Sequence, residues 1–293
     1  MNIKKTMPEI LFDTFNIVFL VILTFICVYP LLYVVFASLS DGNQLMAHSG
    51  PLLKPLGFSL LAYKKVLENP NIKSGYINIM FVVIVGVALN VMMTALGAYV
   101  LSRKDVYFKK IFTKFIIFTM FFSGGLIPMY LTVKGLGLLD SLWALILPGL
   151  ISTFNMIIMR TSFAAIPDSL EESAKIDGAN DFTILFKIII PLSKPVIAVM
   201  VLYYGVAHWN SWFTAMIYIR TRSLYPLQLV LREILMSNSV ESMTGGSGSD
   251  SVDTISETIK YATIMVATIP ILLIYPFLQK YFVKGVMIGA VKG

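Results

Sequence analysis

Gly75-Tyr76-Ile77-Asn78-Ile79-Met80-Phe81-Val82-Val83-Ile84-Val85-Gly86-Val87-Ala88-Leu89-Asn90-Val91-Met92-Met93-Thr94-Ala95-Leu96-Gly97-Ala98-Tyr99-Val100-Leu101-Ser102 contains no charged residue. At 1.5 Å per residue, about 20 apolar residues cross a hydrocarbon core of about 30 Å. A backbone facing lipid has no water to bond, so a stretch of this kind has to be helical. Five further segments meet the same standard: Phe15 to Ala37, Phe115 to Val133, Leu142 to Met159, Pro195 to Ile219 and Tyr261 to Gln279. The sequence therefore predicts an all-α membrane protein with six transmembrane helices.

Composition agrees. The chain has 293 residues, 57% of them hydrophobic and 13% charged, against roughly 25% charged in a soluble domain. Mean hydropathy is +0.80. A soluble enzyme, a disordered chain and a fibrous repeat are excluded on these grounds. The net charge of +7 would suggest nucleic acid on a soluble protein. Here the basic residues fall between apolar runs, so no nucleic-acid partner is expected and membrane topology accounts for them. With both termini inside, 14 of the 23 basic residues lie in inner segments and 9 in outer ones. That bias orients the N- and C-termini toward the cytoplasm. The apolar run after Lys4 and Lys5 exceeds a signal-peptide core and lacks a small-residue cleavage site, so it reads as a retained helix. The single cysteine, Cys27, sits in that run and excludes an internal disulfide or thiolate metal site.

Two outer loops are long. Ser38 to Ser74 holds Pro51, Pro55 and Pro70 and a predicted short helix from Ser59 to Glu68. Arg220 to Lys260 starts with a predicted amphipathic helix, Pro226 to Met236, and runs into the flexible Gly245-Gly246-Ser247-Gly248-Ser249. Loops of this length suit contact with a partner.

The inner segment between the fourth and fifth spans carries the sharpest signal: Pro167-Asp168-Ser169-Leu170-Glu171-Glu172-Ser173-Ala174-Lys175-Ile176-Asp177-Gly178-Ala179-Asn180, then Asp181-Phe182-Thr183-Ile184-Leu185-Phe186-Lys187-Ile188-Ile189-Ile190-Pro191-Leu192. Asp168 or Ser169 can cap a helix, with Glu171 or Glu172 completing a capping box. Gly178 suits the left-handed residue that ends it. Asn180 or Asp181 can start a second helix, which Pro191 stops. Ala174 and Ala179 are expected to keep the outside of the turn small. Glu171, Glu172 and Asp177 make it an acidic knob on a basic face. Acidic residues argue against adsorption to an anionic leaflet, so a protein partner with a basic-rimmed groove fits better.

Glu172-Ser173-Ala174, Asp177-Gly178-Ala179 and Ile190-Pro191 together resemble the EAA motif of binding-protein-dependent ABC importer permeases, with Ser173 where that motif has Ala. Lys284-Gly285-Val286-Met287-Ile288-Gly289-Ala290-Val291-Lys292-Gly293 is similar to the C-terminus of carbohydrate-uptake permeases of the maltose-transporter type, and Trp209-Asn210 matches that group. Phe122-Ser123-Gly124-Gly125-Leu126-Ile127-Pro128 and Tyr225-Pro226-Leu227-Gln228 resemble its complex-oligosaccharide branch. The resemblance implies a type I importer fold, with a coupling loop over 164–191 in a six-span domain over 15–284. Short cytoplasmic segments, 1–14 and 285–293, would flank that domain. It implies docking of a cytoplasmic ATPase on Glu171, Glu172, Ser173, Ala174, Asp177, Gly178 and Ala179. The expected partners are a second, homologous permease subunit, two ATPase subunits that bind ATP and Mg, and an extracytoplasmic solute-binding protein. An oligosaccharide would cross a bacterial cell membrane.

A path through the bilayer needs inward-facing polar groups. Tyr204, His208 and Ser211 share one helical face, with Trp209 and Trp212 beside it. Aromatic rings stack on sugar C–H faces, and Asn210 and His208 can bond hydroxyls. Tyr204, His208, Trp209, Asn210 and Trp212 are therefore the path candidates. Asn90 and Asn155 suit interhelical bonding. No G-x-x-x-x-G-K-[ST] stretch occurs, and no nucleophile–base set or metal-ligand cluster is visible. The chain is expected to be no enzyme by itself and to hold no cofactor. The alternative is an ion-gradient-driven secondary transporter or channel, which predicts ionisable residues inside the spans. The six segments hold no carboxylate or lysine.

Overall fold

The computed structural model describes residues 6–244, 257–274 and 276, with only the backbone described over 237–244. The helices that build the fold begin with α1 (Met7–Ser38), α2 (Gly42–Ala47), α3 (Leu61–Glu68), α4 (Pro70–Ser102), α5 (Lys109–Phe121), α6 (Leu126–Gly135) and α7 (Thr153–Ala164). They continue as α8 (Asp168–Ile176), α9 (Asp181–Leu192), α10 (Lys194–Trp209), α11 (Trp212–Tyr218), α12 (Leu227–Thr244) and α13 (Glu257–Ile274). The chain divides into two compact units, Met1–Asn69 with Glu233–Ile269, and Pro70–Arg232 with Pro270–Gly293.

In the first unit, α1 begins at a capping box: the Thr6 N–H donates to Glu9 Oε2 at 2.7 Å. The apolar stretch of α1 buries nothing inside this chain, which suits a helix bathed in lipid or covered by another subunit. Its last turn, with Ala37, meets Leu45, Leu52 and Tyr261. Ser38 and Tyr63 share a hydrogen bond of 2.8 Å, and the Leu52 N–H donates to Tyr29 Oη at 3.0 Å. The loop after α1 is thus tied down rather than loose. Its predicted short helix is α3.

In the second unit, α4 packs along α7 and α10, with Ala95, Ala98, Met156, Met159 and Met200 at the centre. Small residues allow this approach. A Cβ on Gly86 would lie 2.7 Å from His208 Nε2, and one on Gly75 would lie 3.0 Å from the Leu227 Cα. The predicted helix over 226–236 is the first half of α12.

Three of the six expected spans are not straight. Among the described residues α1, α4 and α13 are long and apolar enough to cross alone; three bent pairs raise the total to six if each pair forms one crossing. The segment expected over Phe115 to Val133 is α5 and α6, bent by 112°, because Gly125 takes φ +90° and starts a new helix. The expected Leu142 to Met159 opens as two tight 3₁₀ turns around Pro148 and bends 52° into α7. The expected Pro195 to Ile219 is α10 and α11, broken at Asn210-Ser211. A further bend, of 88°, separates α9 from α10, where Pro195 supplies no N–H. The similarity read at 284–293, the Gly/Ser stretch at 245–249, Lys4, Lys5 and the end of the sixth segment lie outside the described residues.

Candidate functional site

The segment 167–192 folds as helix, turn, helix. Gly178 adopts φ +82° with open space around its Cα. The Gly178 N–H donates to Lys175 O at 3.0 Å and the Ala179 N–H to Ala174 O at 2.9 Å, which satisfies carbonyls of the α8 C-terminus. Asn180 caps α9, its Oδ1 accepting from the Thr183 N–H at 2.8 Å. Leu185–Ile189 make one wider turn before Pro191.

The start of α8 differs from expectation. Pro167 holds the capping position, no side chain caps the helix, and no capping box forms. Asp168 pairs instead with Lys104 Nζ at 2.5 Å. The hydrogen bond and charge of Lys104 hold the Asp168 carboxyl below its ordinary range, and Asp168 raises Lys104 in return.

Glu171 also departs from the expected role. It is one of the buried residues of the loop and points toward the bundle. Its Oε2 accepts a charge-assisted bond from Arg103 Nη1, and its Oε1 pairs with Lys175 Nζ at 3.1 Å and accepts from Tyr99 Oη at 3.3 Å. Burial by itself would raise the Glu171 carboxyl, but the Lys175 and Arg103 hydrogen bonds and charges bring it below the ordinary range. Ala174 and Ala179 likewise turn inward and pack on the central core, so their small size lets the loop lie close to the bundle rather than thinning its outer surface.

The outward face is made of Glu172, Ser173, Asp177 and Gly178. Beside them stand Ile176, 87% exposed, and Phe182, 66% exposed. Those two apolar residues escaped the sequence reading, although apolar side chains flanking an acidic turn were there to notice. The turn thus exposes two carboxylates and two apolar side chains side by side.

The fifth-span candidates separate in the same way. Tyr204 is buried; its hydroxyl shares a 2.7 Å bond with Thr94 Oγ1 and accepts from the Ser152 N–H at 3.0 Å. His208 Nε2 lies 2.7 Å from Asn90 Oδ1. Asn90 Nδ2 donates to Gly149 O and Leu150 O, each at 2.8 Å, so Oδ1 must accept and His208 must donate from Nε2. Trp209 is buried against Tyr76, and its Nε1 has no hydrogen-bond partner among the described residues. These three therefore face the interior of the chain. Asn210 and Trp212 are exposed. Trp212 lies 4.3 Å beneath the Arg232 guanidinium, which also meets Met216 Sδ at 3.0 Å. Among the described residues no group of three His, Cys, Asp or Glu could hold a metal ion.

No protein-family model matches the chain. Curated relatives do. The polygalacturonan/rhamnogalacturonan transport system permease protein YtcP of Bacillus subtilis (strain 168) is 44% identical over 292 residues, covering 98% of this chain and 100% of that one. Protein LplC of the same organism is 42% identical over 282 residues, covering 96% and 95%. A crystal structure of a bacterial ABC transporter involved in the import of the acidic polysaccharide alginate contains a chain that matches with TM-score 0.86 and 32% identity, over 96% of this chain and all of that one.

The chain belongs to the sugar ABC transporter permeases. The permease is a multi-pass membrane protein and a component of an oligosaccharide ABC transport system. It is not itself an enzyme; ATP hydrolysis occurs in partner ATPases. Membership in such a system brings a second permease, ATPases and a solute-binding protein as partners. Nothing favours an ion-gradient-driven transporter.

Proposed function

We propose that this permease pairs with a second, related permease subunit in the bacterial cell membrane, with both termini cytoplasmic. The six-span domain over 15–284 forms half of an oligosaccharide path, and 1–14 and 285–293 flank it in the cytoplasm. Two ATPases, which carry the ATP and Mg, dock beneath the permease pair, one of them on the loop over 164–191. On this chain Glu172, Ser173, Asp177 and Gly178 meet the ATPase, with Ile176 and Phe182 as apolar anchors. Glu171, Ala174 and Ala179 support that tip from behind. The solute-binding protein delivers its sugar to the outer loops, where Asn210 and Trp212 are the path groups still exposed. Nucleotide binding favours one arrangement of the complex and hydrolysis releases it, so the shift in population depends on tighter nucleotide binding to that arrangement.

The observation that carries this reading is the outward pairing of Glu172 and Asp177 on a turn fixed by Gly178 at φ +82°. A rigid acidic tip suits a basic-rimmed groove, whereas a lipid-lying helix would carry cations. The cargo we favour bears carboxylates. The name of YtcP and the alginate importer support that class, as do Arg220, Arg222 and Arg232 on segments assigned to the outer side. The Arg232–Trp212 pair joins a cation to a ring that can stack on a sugar.

The test uses the complex captured from host membranes by an affinity tag on this chain. Glu172→Lys and Gly178→Pro should abolish ATPase activity stimulated by the loaded binding protein while the permease still inserts. Full stimulation in both variants would remove the loop from docking. Uptake of labelled oligogalacturonide against a neutral oligosaccharide of equal length decides the cargo class.

A further inference from the structure

The inner end of α4 grips both halves of the loop. Arg103, the residue after α4, reaches Glu171 on α8 with Nη1 and the Phe163 carbonyl on α7 with Nη2 at 3.2 Å. Tyr99, one turn earlier on α4, donates to Glu171 Oε1 at 3.3 Å and contacts Asp181 Oδ1 at 3.4 Å at the start of α9. The Arg103 guanidinium also stacks over the Tyr99 ring, 5.0 Å from its centre. Behind it, Lys109 Nζ donates to Arg103 O at 2.6 Å, and Arg160 Nε donates to Leu101 O at 3.1 Å. The Arg103 and Glu171 side chains are only 12% and 9% exposed.

Charges this buried are costly unless geometry and further hydrogen bonds compensate, and a surface loop gains little from them. Here the carboxylate and the guanidinium have further partners on α4, α7 and α8. A loop that only had to connect α7 to α10 would need none of this. A loop that must deliver motion to the bundle would need its docking face fixed to a helix that crosses the membrane. A flexible joint at that point would absorb the displacement.

We propose that Arg103 and Glu171, with Tyr99, are positioning residues that lock the docking helix α8 to the inner end of α4, so that the two move as one body. Glu171 is on this view an internal tie and not a contact of the ATPase. The proposal rests on the reading that an ATPase docks at this loop.

The experiment uses the complex captured from host membranes and placed in lipid nanodiscs. Nitroxides are attached through Ser169→Cys on α8 and Val100→Cys on α4, both at exposed positions, with Cys27→Ser removing the native thiol. Their separation is measured by double electron–electron resonance without nucleotide and after trapping with ATP and vanadate. The parent should give one narrow distance distribution with the same mean in both states. Arg103→Leu and Glu171→Gln should broaden it without nucleotide and shift its mean on trapping, with the amount of trapped nucleotide retained. Arg103→Lys, which keeps the cation opposite Glu171, should stay near the parent. If Arg103→Leu fails to assemble, Tyr99→Phe, which removes one hydroxyl, decides by the same readout. Parent-like distributions in all these variants would overturn the tie. So would loss of trapping with an unchanged distribution, since Glu171 would then be a docking contact. A parent complex that traps no nucleotide instead defeats the docking reading, and the tie is still judged by the nucleotide-free widths.

Discussion

His208 donates through Nε2 to Asn90 Oδ1 across 2.7 Å, and Asn90 passes both its amide hydrogens to the carbonyls of Gly149 and Leu150. One asparagine therefore joins α4, α10 and the tight turns that precede α7. Carbonyls freed by those 3₁₀ turns would otherwise be left in a medium with no water. Asn90→Leu should lower stability by about 1–3 kcal/mol, the usual penalty for stranding buried polar groups. Thr94→Val removes one neutral interhelical bond and should cost nearer to about 0.6 kcal/mol, the average found for such bonds in membranes. Thermal unfolding of the purified complex in detergent measures both. An Asn90→Leu variant as stable as Thr94→Val would show that the carbonyls find other partners.

Gly86 tests the same contact from the other side. A methyl group there meets the His208 ring at 2.7 Å, whereas one on Gly205 meets only Val87 Cγ2 at 3.9 Å. Gly86→Ala should cost about 1–3 kcal/mol through overpacking, and Gly205→Ala should be near neutral. The comparison holds composition and helix propensity constant, so only packing distinguishes the two. Equal unfolding temperatures would mean the α4–α10 spacing yields freely.

The contrast between these residues and the 167–192 loop explains what the sequence could reveal. Gly178, Asn180 and Pro191 act locally, through φ, a capping bond and a missing N–H, so the helix–turn–helix was legible from spacing. Asn90 was legible as interhelical glue because a polar amide in an apolar run has few other uses. The partners of Tyr204 and His208 were not legible, because a helical wheel gives a shared face without saying which neighbour it meets; Thr94, Ser152 and Asn90 lie far away in sequence. Arg103 was counted only as a charge that orients the chain. Its partner on α8 is 68 residues distant, and no local pattern marks such a pair. The bends at Gly125 and Asn210 were not read from the sequence, which gave straight spans there, because their angles depend on what packs around them.

The Glu171 carboxyl lies below its ordinary range in the fold because Lys175 and Arg103 outweigh its burial. A depressed carboxylate contributes stability that is present above its unfolded value, roughly 4.3. That contribution is lost as pH falls through the folded value. Thermal midpoints of the parent should therefore fall more steeply than those of Glu171→Gln as pH drops from neutral to below about 4. The two curves should converge at the acid end. Parallel curves throughout would mean that Glu171 does not titrate with folding.

Gly178 sits at φ +82°, and a methyl group added to its Cα would find nothing within 4 Å, so its substitution acts through the backbone alone. Gly178→Ala should strain the turn by about 1–2 kcal/mol, with Gly178→Asn milder because asparagine tolerates the left-handed region. Both should lower stimulated ATPase activity in that order, while Gly178→Pro abolishes it. If Gly178→Ala stimulates like the parent, the left-handed turn is not what presents Glu172 and Asp177.

Asp140 is itself left-handed, at φ +58°, and fastens two interhelical segments together. Its Oδ1 accepts from the Arg220 N–H at 2.9 Å and the Thr221 N–H at 2.8 Å, its Oδ2 accepts from Thr221 Oγ1 at 2.6 Å, and its own N–H donates to Tyr218 O at 2.8 Å. The Thr221 hydroxyl, then the two backbone amides, hold the carboxyl below its ordinary range. Three substitutions separate its two tasks. Asp140→Asn keeps an acceptor and tolerates the backbone; Asp140→Gly keeps only the backbone freedom; Asp140→Ala keeps neither. Hydrogen exchange at the amides of Arg220 and Thr221 should accelerate in that order, with the parent slowest. Because the carboxyl is depressed, their protection should persist below the ordinary carboxylate range and vanish as pH falls through the lowered value. Exchange in Asp140→Gly equal to the parent would show that the turn, and not the carboxylate, closes this clamp.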